Sequence, residues 1–384
     1  MLEDELIDFV RAIVGIRSFS DREGEIAHFI LGRMEYLGYD EAFIDSAGSV
    51  VGRVGRGGRA ILFDSHMDTV GVEDEDEWTH PPFGGEIADG RLYGRGAADM
   101  KSALGASLYA AAAAKRKGLT EDVSVYVTCT VCEEFCDGVS LELLMEETGV
   151  RPDYVVICEP SDNTITLGHK GKFQASVTTR GVSAHGSAPE KGVNAVYEMA
   201  KIIKKTEELN DHLSASGAEH GTIVLSGISS VSASLNAVPS ECSIYLDRRL
   251  IPGETEGDAA AELDSLIEGH RASWEPGTLR RRSWKGRELT YTPSHEAWRI
   301  SPDHELTGIL REAYTDTFGS APSRYDFWDF STNAVTPVKL GIPTIGFGPG
   351  EYKLAHMRDE NCELRKITGA CRFYTSVIGK FAGA

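Results

Sequence analysis

The segment Ala60-Ile61-Leu62-Phe63-Asp64-Ser65-His66-Met67-Asp68 decides the fold of this chain. Its apolar first half is typical of a buried strand, so His66 and Asp68 should lie at the carboxyl end of that strand. Open α/β sheets bind their ligands at this end. Residues two apart in an extended chain point the same way, so the Asp68 carboxylate can orient the His66 ring while the ring binds a cation. Alone, such a pair fits a surface turn equally well.

Acidic residues follow two further strand-like runs. Glu133 and Glu134 come directly after the β-rich run 123–132, and Glu159 comes after the apolar run 153–158. Buried carboxylates are costly unless cations or protons neutralise them, which argues against simple solvated loops. One member of the adjacent pair can bind a metal while the other acts as general base on a water molecule. The runs therefore predict several carboxylates at one edge of the sheet.

Asp99 and His356 complete the candidate set. Asp99 precedes the predicted helix 102–117, where it could be only a helix N-cap or a carboxylate free to bridge two metals. His356 follows the segment 342–350 and is the second imidazole of the set. Mixed imidazole and carboxylate ligands suit zinc, with Co²⁺ or Mn²⁺ as alternatives. The residues predict a two-metal hydrolase with Glu133 as general base. The predicted metal ligands are His66, Asp99, Glu134, Glu159 and His356.

The chain resembles the M20 metallopeptidase family, which includes acetylornithine deacetylase, succinyl-diaminopimelate desuccinylase, carboxypeptidase G2 and aminoacylase-1. The matching segments occur in family order and span nearly the whole chain. They are HMDTV (66–70), GRGAADMKSALGA (94–106), CEEF (132–135), CEPS (158–161), GVSAHGSAPEKGVNA (181–195), LNAVPSECSIYLDRR (235–249) and AHMRDE (355–360). Within the family, GHKGK, SAHGSAPEKG, LDRRLIPGET and GIPTIGFGPG are most similar to a selenium-metabolism-linked hydrolase subgroup.

The resemblance implies a role for each residue. One zinc ion would be held by His66, Asp99 and Glu159, and a second by Asp99, Glu134 and His356, with Asp99 bridging the two. Glu133 would be the general base, and the peptide bond after Asp99 would be cis. His185, from the same or a neighbouring subunit, would stabilise the oxyanion. The implied substrate-binding residues are Asn236, Arg249, Ser331 and Thr332, where the guanidinium of Arg249 rather than that of Arg248 would bind a substrate carboxylate.

The order of strand and helix patterns predicts two structural units. Alternating patterns before residue 171 predict an α/β fold, a zinc-exopeptidase-like mixed sheet with helices on both faces. From residue 173 the order becomes βαββαβ, which is ferredoxin-like, with its last strand expected at 279–284. We therefore predict a catalytic domain in two parts, 1–171 and 288–384, around an inserted lid and dimerisation domain, 172–287. Gly168, Gly171 and Gly286 would act as hinges.

Composition narrows the class of protein. A net charge of −20 argues against nucleic acid or an anionic membrane as partner. The acidic N-terminus does not have the features of a signal peptide, and no apolar run is long enough for a transmembrane helix. The seven cysteines, of which Cys129, Cys132 and Cys136 cluster, are expected to be small buried residues of a reduced cytoplasmic protein rather than a metal or redox site.

Residues and resemblance together predict a dinuclear zinc amidohydrolase. It would cleave the amide bond of a small N-acyl amino acid or dipeptide-like substrate with a free carboxylate, and it would act as a homodimer through its lid. One alternative is a two-zinc aminopeptidase or dipeptidase acting on free-amine peptides, which the lid and Arg249 argue against. Another is a non-catalytic binding protein on the same fold, which the complete ligand set and Glu133 disfavour. A cysteine-based redox protein is the third.

Overall fold

The computed structural model describes residues 2–383 of the chain. Its α-helices in this range are α1 (Leu2–Gly15), α2 (Gly24–Leu37), α3 (Ser102–Arg116), α4 (Val139–Thr148), α5 (Ala195–Ser214), α6 (Glu256–Ile267), α7 (Glu305–Phe318), α8 (Val335–Lys339) and α9 (Leu364–Gly383). Short 3₁₀ turns lie at Glu75–Glu77, Glu133–Phe135, Pro189–Lys191 and Tyr352–Leu354, and a π turn lies at Ala97–Lys101.

Nineteen strands are assigned within the same residues. They are β1 (Glu41–Ile44), β2 (Val50–Val54), β3 (Arg59–His66), β4 (Glu86–Ala88), β5 (Arg91–Tyr93), β6 (Val123–Thr130), β7 (Tyr154–Ile157), β8 (Thr166–His169), β9 (Gly171–Arg180), β10 (Thr222–Val231), β11 (Glu241–Leu250), β12 (Ala272–Pro276), β13 (Leu279–Arg282), β14 (Glu288–Tyr291), β15 (Ser294–His295), β16 (Trp298–Arg299), β17 (Asp326–Trp328), β18 (Thr344–Gly346) and β19 (Asn361–Glu363).

The largest sheet is mixed and has nine strands. Its order is β1-β2-β6-β3-β7-β18-β8-β16, and β17 pairs with β8. The four central strands β6, β3, β7 and β18 run parallel to one another. At one side of the sheet, β2 is antiparallel to β6, and β1 is antiparallel to β2. The carboxyl ends of the four parallel strands therefore meet at one edge of the sheet.

Helices cover both faces of this sheet. Neighbouring residues of a strand point to opposite faces. Val50 of β2 packs into the main core, which includes residues of α1, α2, α3 and α9. Its neighbour Val51 packs against Leu141, Leu144 and Met145 of α4 on the other face. The predicted mixed α/β class is therefore confirmed. Strands covered by helices on both faces are buried along their length, and β3 and β7 are apolar and buried in this way.

A second sheet contains the βαββαβ order predicted from the sequence. Its strands are arranged β10-β11-β9-β12, all neighbours are antiparallel, and β15 adds to β9. This order and these connections are those of a ferredoxin-like unit. Alternate residues of β9 and β11 are buried against α5 and α6. These strands and helices together form a hydrophobic core that belongs to the second sheet unit. The bounds 172–287 and the role of this unit as a lid stay predictions.

The predicted last strand of this unit, 279–284, was wrong. The last strand of the unit is β12, which pairs with β9 on the side away from β11. It begins earlier than predicted because α6 ends at Ile267 and Gly269, two residues later, adopts a positive φ of 78°. Residues 279–291 instead form the separate hairpin β13–β14, with Gly286 in its turn. Trp284 and Lys285 of this hairpin donate hydrogen bonds to the carbonyls of Gly48 and Asp45, at 3.2 and 2.7 Å.

The N-terminal helices and the cysteines also follow patterns in the sequence. Apolar residues have helical spacing over residues 2–15 and 23–37 of the sequence. Helix α1 has these bounds, and α2 begins one residue later than this spacing predicts. All seven cysteines are free and buried, as expected for small core residues. Among residues 2–383, no helix is both long enough and apolar enough to cross a bilayer. The cytoplasmic location and the absence of a nucleic-acid partner stay predictions.

Candidate metal centre

The metal-ligand candidates lie where the central parallel strands end. His66 is the last residue of β3, and Glu159 lies two residues beyond β7. Glu133 and Glu134 begin the 3₁₀ turn that follows β6, and His356 lies on the loop that follows β18. Because these strands are parallel neighbours, their carboxyl ends bring residues from distant parts of the chain to one edge.

Asp99 lies between the two imidazoles. It belongs to the π turn Ala97–Lys101 that precedes α3, and its backbone is not helical there. The Asp99–Met100 peptide bond is cis, as the resemblance implied. Asp99 Oδ1 is 3.1 Å from His66 Nε2, and Asp99 Oδ2 is 3.5 Å from His356 Nε2. One carboxylate thus presents one oxygen to each imidazole, the arrangement that a bridging ligand requires.

The five predicted ligands form two groups that share Asp99. His66, Asp99 and Glu159 make one group, and Asp99, Glu134 and His356 make the other. Within each group the ligand atoms lie within 4.8 Å of one another. His66 Nε2 is 3.7 Å from Glu159 Oε1, and His356 Nε2 is 3.1 Å from Glu134 Oε2. The structure therefore brings together all five residues in the pairing that the resemblance implied.

The electrostatics of the cluster show that its donors fit divalent cations. Burial raises the pKa of Glu134, and burial together with the charge of Asp99 raises that of Glu159 well above its usual range. The hydrogen bond to Glu134 raises the pKa of His356. Protons are therefore drawn into a cluster of buried carboxylates that repel one another. Divalent cations bound by these carboxylate and imidazole groups would neutralise the same charges.

Glu133 has the properties of a general base. It belongs to neither ligand group, so its carboxylate is not committed to a metal. Its side chain is buried, and burial followed by the charge of Glu159 raises its pKa well above the usual range. Glu133 lines a cavity of about 320 Å³ that also contains Asp99, Glu159 and His356. A carboxylate with a raised pKa can both accept and return a proton near neutral pH.

The Asp68 carboxylate lies within ion-pair distance of His66 but makes its hydrogen bonds to other groups. His66 Nδ1 lies 2.9 Å from the backbone carbonyl oxygen of Asp68, whereas the nearest carboxylate oxygen is 3.6 Å away. Since β3 ends at His66, the two side chains no longer share the geometry of an extended strand. The Asp68 carboxylate instead accepts the backbone N–H groups of Glu133 and Glu134, at 3.1 and 3.2 Å, and the Ser20 hydroxyl at 2.6 Å. It therefore positions the acidic pair.

A buried ion pair that sequence reasoning missed joins the Asp99 and His356 loops. Glu360 Oε1 accepts the backbone N–H groups of Ala98 and Asp99, at 2.9 and 3.0 Å. Glu360 Oε2 accepts from Arg95 at 2.6 Å, and Arg95 donates onward to the carbonyl of His356 at 3.3 Å. Both residues stand inside quoted motifs, GRG and AHMRDE, but no local pattern shows that they pair.

Two of the four predicted substrate-binding residues line the cavity, and the other two do not. Arg249 and Ser331 line the cavity. Arg248 is buried in ion pairs with Glu254 and Glu262, so Arg249 is the guanidinium that faces the cavity. Thr332 is fully buried and does not line the cavity, and its hydroxyl accepts the N–H of Ala334.

His185 and Asn236 lie together on the second sheet unit rather than in the cavity. The Gly186 N–H donates to the Asn236 carbonyl at 2.6 Å, and His185 Nδ1 is 2.7 Å from the Ser187 hydroxyl. The carbonyl of Asn236 thus holds the loop that carries His185, and a β-bridge joins His185 to Ala237. Neither His185 nor Asn236 lines the cavity of the described chain. Their roles at the reacting bond stay predictions.

Comparison with known proteins was consistent with this geometry. The peptidase family M20/M25/M40 matches residues 62–380. The chain is 35% identical to the uncharacterized protein YgeY of Escherichia coli (strain K12) over 97% of this chain and 93% of that protein. It is 29% identical to an acetylornithine deacetylase of Salmonella arizonae over 85% of this chain and 82% of that enzyme.

A solved structure shows the same fold. The M20 family metallo-carboxypeptidase Sso-CP2 from Sulfolobus solfataricus superposes with a TM-score of 0.76. The alignment covers 99% of both chains at 20% sequence identity. At that identity the likeness concerns the fold, and it spans both sheet units.

Proposed function

Since the chain belongs to peptidase family M20/M25/M40, and so is a metal-dependent hydrolase of amide bonds, we propose that it cleaves small N-acyl amino acids or dipeptide-like substrates with a free carboxylate. The observation that carries this proposal is the convergence of two ligand groups through Asp99 beside the uncommitted carboxylate of Glu133. The proposed metal is zinc, two ions per subunit, because the donors are imidazoles and carboxylates.

The proposed metal ligands divide between the two sites. His66, Asp99 and Glu159 would hold one ion, and Asp99, Glu134 and His356 the other. When bound, divalent cations supply Lewis acidity, which polarises a carbonyl group and makes water easier to deprotonate. Asp68 and Glu360 would help to position these ligands. The Asp68 carboxylate accepts the backbone N–H groups of the acidic pair, and the Glu360 carboxylate accepts that of Asp99.

Glu133 would move the protons of the reaction. Its carboxylate accepts a proton from the attacking water and later returns that proton to the leaving amine. The cavity places Arg249 with the acidic residues, so the guanidinium can bind the substrate carboxylate while the amide lies near Glu133. The second sheet unit, acting as a lid, would bring Arg249 to the substrate and exclude water.

A hydrolysis screen tests this function against the aminopeptidase alternative. Zinc-loaded protein is offered an N-acetylated amino acid, and an N-acetylated dipeptide beside the same dipeptide with a free amine. Each acylated substrate is also offered as its C-terminal amide. We expect hydrolysis of acylated substrates and a large loss when the terminal carboxylate is amidated. Hydrolysis confined to free-amine peptides would reject the proposal in favour of an aminopeptidase.

We propose that two copies pair through the outer strand of the second sheet. Strand β10 is an edge strand of this sheet, and its outward residues Val224, Ile228 and Val231 are more than half exposed. Unpaired edges with apolar side chains are rarely left open in soluble proteins. Pairing of β10 with its copy would cover them. Sedimentation of the wild type and of an Ile228→Lys variant should give a dimer and a monomer respectively.

His185 should then act on the cavity of the partner subunit. We expect His185→Ala and Glu133→Gln homodimers to be nearly inactive when prepared separately. After the two are mixed and allowed to exchange subunits, each heterodimer contains one site with both residues intact and one site with both changed. Activity should therefore reappear with the time course of exchange. If mixing restores no activity although exchange is seen by mass spectrometry of intact complexes, His185 does not act across the interface.

A further inference from the structure

Two cationic side chains face the same cavity from the second sheet. Lys172 on β9 and Arg249 on β11 are register partners across the antiparallel pair, so their side chains are direct neighbours. Both line the cavity that contains Glu133. The Lys172 side chain is 12% exposed and that of Arg249 is 24% exposed. The family resemblance implied a role for Arg249 but none for Lys172.

Both cations have hydrogen-bond donors that the protein does not use. An ammonium group has three N–H donors and a guanidinium has five. Lys172 Nζ donates to Asp137 Oδ2 at 2.6 Å, and no other acceptor for it occurs within residues 2–383. Arg249 donates to Asp247 through Nε and Nη2, at 2.7 and 3.0 Å. Two donors of Lys172, whose Nζ also lies 5.7 Å from the centre of the Tyr291 ring, and three of Arg249 therefore have no hydrogen-bond acceptor in the protein.

Asp137 holds Lys172 in a fixed position. Its carboxylate is buried, and the same oxygen, Oδ2, also accepts the Tyr291 hydroxyl at 3.0 Å and the Ser331 hydroxyl. Asp137 accepts one hydrogen bond from Lys172, and the remaining N–H groups of Lys172 have no acceptor on this carboxylate. Nearly buried N–H groups without acceptors are costly once water leaves, so a closed cavity needs an anionic or strongly accepting group beside Lys172.

We propose that Lys172 binds a second carboxylate of the substrate, in addition to the one that Arg249 would bind. This inference rests on the proposed function and narrows its substrate class to N-acyl amino acids that carry two carboxylates. Each cation is held by its own protein carboxylate, Lys172 by Asp137 and Arg249 by Asp247, so the two side chains are fixed as separate donors. The second carboxylate can belong to the acyl group, as in a succinyl amide, or to the amino acid, as in an aspartate or glutamate amide.

Equilibrium binding tests this inference without depending on turnover. Zinc-loaded Glu133→Gln protein is titrated by calorimetry with two matched pairs that differ only by a carboxylate and its amide. One pair is N-acetylglutamate and N-acetylglutamine, and the other is N-succinyl-leucine and N-succinamoyl-leucine. We expect the dicarboxylate of one pair to bind at least about 10-fold more tightly, as for a hydrogen bond between charged groups. The pair that shows the preference identifies which part of the substrate carries the second carboxylate.

Variants of Lys172 test whether this residue causes the preference for the dicarboxylate over its amide. Lys172→Met with Asp137→Asn removes both charges together, so no unpaired buried carboxylate remains. Lys172→Gln is a second, smaller change. In both backgrounds the preference should fall to about 1-fold while binding of the monocarboxylate partner is kept. Equal binding within both pairs in the protein that keeps Lys172, or a preference that survives both variants, would overturn the inference. If the preference follows Lys172 but the wild type hydrolyses none of these compounds, the inference stands and the proposed function fails.

Discussion

Replacing Glu133 with glutamine should lower kcat by about 10²–10⁴-fold while leaving the zinc content unchanged, as expected for loss of a general acid–base. Glutamine keeps the size of the side chain but cannot accept a proton. Glu133 stands outside both ligand groups, so its removal takes no ligand from either site. Steady-state kinetics on an acylated amino acid, with metal analysis of the same preparations, measures both effects.

Glu23→Gln is a matched control for this variant. Glu23, like Glu133, is buried, and its carboxylate accepts the N–H of Cys132 at 3.0 Å, but it does not line the cavity. Burial, with a contribution from Asp68, raises the pKa of Glu23 to about 8, so the side chain is largely protonated at neutral pH and glutamine imitates it. We expect this variant to keep its activity. Near-normal kcat in Glu133→Gln would reject the general-base role.

Removing the shared ligand should cost more metal than removing a terminal one. Asp99 belongs to both ligand groups, whereas His356 belongs to one. We therefore expect Asp99→Ala to lose both zinc ions and His356→Ala to lose chiefly the ion that it shares with Glu134. Both variants should lose at least as much activity as Glu133→Gln. Zinc per subunit, measured by atomic emission after dialysis against a weak chelator, separates the two cases.

An exposed carboxylate is the control for metal content. Asp76 lies in the acidic turn Glu75–Glu77, away from both ligand groups, and Asp76→Ala should bind as much zinc as the wild type. Circular dichroism of each variant shows whether the fold is kept. Equal loss of zinc in Asp99→Ala and His356→Ala would mean that Asp99 is not a bridging ligand.

Residues at strand ends were predicted well because their positions follow from local pattern. An apolar run followed by a carboxylate indicates the end of a strand, whatever the conformation of the loop that follows. Neighbouring parallel strands have their carboxyl ends at the same edge of the sheet. His66, Glu134 and Glu159 meet for this reason. The last strand of the second sheet was misplaced by several residues, because the end of α6 depends on a backbone conformation at Gly269 that periodicity does not reveal.

By itself, the sequence determined the family, the mixed α/β class, the order of elements in the second sheet and the identity of the five ligand candidates. Those features depend on residue type and on spacing along the chain. Only the tertiary structure decided that the Asp68 carboxylate holds the acidic pair, that Glu360 and Arg95 join two loops, and that Lys172 faces the cavity. These contacts join segments far apart in the chain. Their geometry depends on the path of the loops that follow each strand, and the sequence of a loop has no periodic pattern from which that path could be predicted.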